Sequence, residues 1–190
     1  MGTLELTRLL SYSVVSVSSA ILLYFLVVYV KFLLADSYRH GWWLVGIATG
    51  AGLIYGASGV LRVYGDSIVA GSFEKGASLF FILFLALGIR SIARLERSDG
   101  PSGSFFVRYG FDLLVVALFV VAWWVSFTLW RPAWLILVEG FGWVTMLLFA
   151  LYFGIQVVRQ LEGTSIASVI RHLLPAVICF GGVILAELTH

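Results

Sequence analysis

The sequence predicts an all-α fold, a polytopic membrane bundle of six transmembrane helices in a single integral membrane domain covering residues 1–190. Three observations carry this. The chain is 61% hydrophobic and 12% charged, against about 25% charged in ordinary globular domains. Its mean hydropathy is +1.04. Its apolar residues fall in six long runs, each near the roughly 20 residues a helix needs to cross about 30 Å of hydrocarbon. Backbone groups in hydrocarbon must be paired within their own segment, so each run is read as a helix rather than an open strand.

The first span runs over 10–34, and its long apolar run lacks a small-residue cleavage site after a basic start, so a retained helix is expected. The second covers 42–64 and the third 68–93. The polar connection RLERSDGPSGS, Arg94 to Ser104, is too short for a core of its own. It reads as a turn bent at Asp99-Gly100-Pro101, and as the border between halves 1–98 and 99–190. The fourth span covers 105–129. The fifth covers 133–159, with Pro132 suited to its first turn, and the sixth 165–188, where Pro175 and Gly181-Gly182 can loosen the helix.

Lysine and arginine set the orientation. Lys31, Arg39, Arg90, Arg94, Arg97, Arg108, Arg159 and Arg171 fall on one side, and Arg8, Arg62, Lys75 and Arg131 on the other. Eight against four makes the first side cytoplasmic, in a multi-pass protein of the cell membrane with both termini outside. Trp42, Trp43, Trp130 and Trp134 at span ends fit interfacial anchoring.

An internal repeat is visible at an offset of 98 residues. Gly56, Val60, Gly65, Ser67 and Ile68 match Gly154, Val158, Gly163, Ser165 and Ile166, each time across the end of one span and the start of the next. Three helices per unit would invert the second unit relative to the first, the plan of many transporters. Chance matching of common membrane residues is the competing explanation.

The second span carries Gly46, Gly50, Gly52, Gly56 and Gly59, small residues that let neighbouring helices approach closely, so a central place or a contact with a second copy or a partner subunit is expected. Charge inside a span is costly unless paired or wet. Glu139, two turns into the fifth span in AWLILVEGFGW, has no neighbour in sequence to neutralise it, and is expected to face a polar interior, bind a cation or be protonated. Glu74, Lys75, Arg62, Asp66 and Glu187 gather on the outer side and would form a polar vestibule, or else lie solvated at the interface. Asp112 is expected to pair with Arg108 one turn before it.

Other chemistry finds little footing. No phosphate-cradling loop, nucleophile elbow or His-Glu-x-x-His helix occurs, so no enzyme is expected. The net charge of +2 resides at span ends and does not point to nucleic acid. Cys179 is expected as a small buried hydrophobe and can form no internal disulfide. His40 and His172 would share the inner side, where they could ligate a haem, but no Cys-x-x-Cys-His sequence accompanies them, and hydrogen bonding at the interface is the simpler expectation. Metal ligand sets are absent from the sequence, and the cofactor stays undetermined.

The pathway residues on this reading are Glu139, Glu74, Lys75 and Arg62. Their function is translocation of an ion or small solute, against a non-transporting sensor or structural subunit and, third, a haem-bearing electron carrier. The orientation is checked by external protease or thiol labelling of both termini. Both should react in intact cells, and protection of either would break the six-span count.

Overall fold

The computed structural model describes residues 3–32, 36–65, 68–95, 105–128 and 133–188. They form six helices: α1 (Thr3–Phe32), α2 (Asp36–Tyr64), α3 (Ile68–Leu95), α4 (Phe105–Thr128), α5 (Ala133–Gln160) and α6 (Ser165–Leu188). There is no strand among the described residues. Five helices, all but α4, are long and apolar enough to cross a membrane; in α4 the described apolar stretch is Gly110–Ala122. The helices begin and end close to the expected spans. The exceptions are α1 and α2, which extend several residues N-terminally through polar sequence that hydrocarbon does not need but a helix accepts.

The chain divides into two compact units, Met1–Leu85 and Ala86–His190, so the helix α3 contributes to both. In the first unit α1 packs antiparallel against α2 along a serine stripe facing a glycine stripe. A Cβ built on Gly59 would stand 2.2 Å from the Tyr12 ring, one on Gly56 2.6 Å from Ser16 Oγ, and one on Gly52 2.9 Å from Ser19 Oγ. Tyr12, Ser16 and Ser19 recur at steps of four and three, one face of a helix, and meet the glycines in reverse order. Gly46 and Gly50 face open space, so the close approach is confined to the half of α2 that ends at Tyr64.

In the second unit α5 and α6 form an antiparallel pair around a turn whose hydrogen bonds are all local. The Leu161 N–H donates to the Val157 carbonyl at 2.9 Å and the Thr164 N–H to the Leu161 carbonyl at 3.0 Å. Gly163 has φ of 86°, the left-handed region that closes a helix end. Thr164 then caps α6, its Oγ1 accepting from the Ala167 N–H at 3.3 Å. Gly154 lies against Leu174 and Gly181 against Leu147, the same register at both levels. The core between them is Trp143, Ala150 and Val157 with Ile170 and Val177, and Trp143 packs on Phe180 at 6.0 Å between centroids. Of the aligned repeat glycines, Gly56 thus closes on the helix before its own and Gly154 on the helix after.

The remaining faces are apolar and uncovered. α1 exposes Leu10, Val14, Val17, Ile21 and Phe25, α4 exposes Leu114, Leu118 and Val121, and α5 exposes Leu137, Phe141, Leu148 and Ile155. Continuous apolar surface on this scale does not suit water, and hydrocarbon is its natural solvent.

Burial is greatest on α3, whose apolar segment is 78% buried against 50% for the glycine-rich α2. Glycines on one face give one close contact, whereas α3 buries consecutive residues from Leu85 to Arg90 and so has no free face there. Trp42 is 3% exposed and packed inside, not anchored at an interface, while Trp43 is half exposed. Cys179 is exposed rather than buried, because α6 turns Val177 inward and Cys179 outward. Trp130 lies outside the described residues, as does the side chain of Trp134.

The Tyr12 ring at Gly59 gives a direct test. Gly59→Ala should destabilise the fold by about 1–3 kcal/mol, because Tyr12 has no room to give. Gly46→Ala, into open space, should stay within about 0.5 kcal/mol. Unfolding in mixed micelles reads both, and equal losses would mean that the glycine contact does not hold the pair together.

Candidate functional site

Three helices of the first unit bring one side chain each to a buried carboxylate. Glu74, in the second turn of α3, is 3% exposed. Tyr12 Oη, from α1, donates to Glu74 Oε1 at 2.6 Å. Arg62 Nη1, from the last turn of α2, donates to Oε2 at 2.9 Å. Each carboxylate oxygen therefore holds a donor, and the trio is electrically neutral when Glu74 is ionised.

The local sequence explains the placement. Gly59 leaves room for the Tyr12 ring against α2, and Tyr55 meets that ring edge-on at 5.6 Å. The two partners of Glu74 then differ in character. Tyr12 is buried at 8% exposure, but the Arg62 side chain is 43% exposed, so its attraction is screened. The carboxylate thus has one buried neutral donor and one counter-ion in contact with solvent.

A second charged pair lies in the other unit. Arg90 of α3 is 5% exposed and donates through Nη1 to Asp112 Oδ1 of α4. Its guanidinium carbon is 4.3 Å from the centroid of Phe111 and 5.6 Å from that of Phe149. Cation–π attraction of this kind strengthens as water is removed. With side chains 6% and 14% exposed, Arg90 and Asp112 form a closed cage, unlike the open Glu74 pair.

The sequence-derived candidates divide accordingly. Glu74 and Arg62 are brought together, whereas Lys75, half-buried beside Glu74, has no ion pair among the described residues. Gly52, Gly56 and Gly59 line the contact with α1, and Gly46 and Gly50 do not. Glu139 stands on α5, but its side chain falls outside the described residues, as do those of His40 and Glu187; Asp66 and His190 lie outside altogether. Asp112 pairs with Arg90 across two helices, where the sequence suggested Arg108, whose side chain is also outside the description. His172 is exposed, with Nδ1 2.7 Å from the Ser168 carbonyl. Among the described residues no group of three or more His, Cys, Asp or Glu could hold a metal.

Tyr12 and Arg90 are the residues the sequence reading missed. A tyrosine in an apolar helix carries no charge to draw notice. Arg90 had a signal: residues 90 and 112 are equidistant from Pro101, where the sequence suggests a bend. Comparison of the chain with family models, curated proteins and solved structures gave no match.

The contrast between the two pairs is measurable. Arg90→Met should cost about 3–5 kcal/mol by taking the buried guanidinium away from Asp112, and the double change with Asp112→Leu should recover most of that. A coupling energy between Arg62 and Glu74 should stay below about 1 kcal/mol, because Arg62 is half in solvent. Double-mutant cycles in micelles decide, and a larger coupling at Arg62 would mean that this pair too is closed.

Proposed function

We propose that this chain is a multi-pass membrane protein that translocates a cation or another small charged solute, with Glu74 as its ionisable group. The observation that carries the proposal is the buried carboxylate held by Tyr12 on one oxygen and by the half-exposed Arg62 on the other. A pair kept for stability alone is no better than apolar packing of similar volume. A carboxylate whose counter-ion reaches solvent can instead trade that counter-ion. When Arg62 moves into water, Oε2 becomes free to receive a cation, and Tyr12 keeps Oε1 in place meanwhile.

On this proposal all six helices are spans, both termini lie outside the cell membrane, and the aligned segments belong to two inverted three-helix repeats. Lys75, one residue beyond Glu74, adds positive charge at the mouth, and Glu139 supplies a second carboxylate on α5. The competing reading is a membrane-embedded subunit that transports nothing. What favours it is that Glu74 and Arg90 both find their counter-charge within the chain.

Proteoliposome flux separates them. Glu74→Gln should lower cation flux at least about tenfold, and Tyr12→Phe should lower it less, since one oxygen loses a donor but the charge stays. Glu139→Gln in parallel assigns the second carboxylate. Flux unchanged in Glu74→Gln would sink the proposed role of Glu74, and no flux for any cation tested would leave the subunit reading.

A further inference from the structure

Arg171 is a different kind of charge from Glu74 and Arg90. It is exposed on α6, inside the apolar stretch Ser165–Gly182, and makes no hydrogen bond or ion pair with any described residue. Arg8, five residues inside α1, and Arg159, next to the end of α5, are also exposed, but each has a carboxylate three residues away in the chain, Glu5 and Glu162, whereas no Asp or Glu lies within four residues of Arg171. Arg171 stands six residues inside α6, about 9 Å from its start. An unmatched guanidinium at that depth is costly, so it has to reach an anion.

The surroundings say which anion. His172 is tied to its own helix, its Nδ1 donating to the Ser168 carbonyl oxygen at 2.7 Å, so Arg171 is the cation that an anion meets here. Side chains lean towards the start of their helix, which carries both groups towards the polar boundary. On the far side of them, the same exposed stripe continues as Pro175, Cys179 and Gly182. The exposed stripe of α5 is instead built from Phe141, Leu148, Tyr152 and Ile155. The exposed face of α6 thus carries an unpaired basic head near the start of the helix with apolar surface beyond it. A second copy docking here about a two-fold axis would set Arg171 against Arg171, which like charge opposes.

We propose that this face of α6 holds one anionic phospholipid, its phosphate on Arg171 and an acyl chain along Pro175, Cys179 and Gly182. A guanidinium matches phosphate through two parallel N–H donors. A zwitterionic lipid carries its own ammonium to compete for the same phosphate, so the net negative lipid is selected. The excess of arginine and lysine puts this end of α6 on the cytoplasmic side, where anionic lipid is concentrated. The site rests on the chain lying in a bilayer, not on transport.

Full-length protein in detergent is titrated with phosphatidylglycerol and with phosphatidylcholine, and bound lipid is counted by native mass spectrometry. Phosphatidylglycerol should be retained about tenfold more tightly, Arg171→Gln should remove that preference, and Arg171→Lys should keep part of it. Arg159→Gln should leave it unchanged. Cys179→Trp, which adds bulk on the face an acyl chain would cover without touching the charge, should weaken retention of both lipids and covers the case in which Arg171→Gln fails to fold. Equal retention of the two lipids, wild-type behaviour of Arg171→Gln or Cys179→Trp, or displacement by inorganic phosphate at matching concentration each overturns the site. A chain that stays in solution without detergent would remove the bilayer reading itself. One that needs detergent and binds both lipids alike removes this site only.

Discussion

Glu74 takes a carboxylate out of water on a helix long and apolar enough to cross a membrane, and the packing of the first unit follows from what that carboxylate requires. Each oxygen needs a donor, and α3 has none to offer from its own backbone, whose N–H groups are committed to the helix. The donors come from α1 and α2. Tyr12 can reach only because α2 has Gly59 where any other residue would meet the ring, so a backbone choice on one helix permits a side-chain bond between two others.

The same rule operates at Arg90 with a different outcome. There the counter-charge, Asp112, is itself nearly buried, and the rings of Phe111 and Phe149 flank the guanidinium, so solvent has little part in the pair. Such a cage fixes the relative position of α3 and α4 and resists exchange. At Glu74 one partner is solvated and one is not. That difference in solvent exposure, rather than the presence of a charge, is what separates the two pairs. Arg171 completes the series, as a charge with no counter-ion among the described residues, on a face where lipid is the neighbour at hand.

Much of the fold was legible in the sequence because hydrocarbon imposes one solution on the backbone. Apolar run lengths located the six helices to within a few residues, except at the starts of α1 and α2, which lie seven and six residues before the expected spans. The site was legible only in its charged members. Glu74 and Arg62 stood out as costly, whereas Tyr12, neutral and ordinary in an apolar helix, did not. Burial was harder still. Trp42 and Trp43 are adjacent and chemically identical, yet one is packed inside and the other half exposed, a difference set by the direction of the neighbouring helix and not by residue type.

By itself the sequence determined which segments are helical and which are apolar enough for a bilayer, since both depend on local pairing and on composition. Which charges meet was decided by tertiary structure, because Glu74 lies 62 residues from Tyr12 and Arg90 lies 22 from Asp112. Helix periodicity fixes the face a residue occupies, but only the packing of one helix on another determines what that face touches. For the same reason the glycines of α2 announced a close approach, and only the fold showed that its partner is the Tyr12–Ser16–Ser19 stripe of α1.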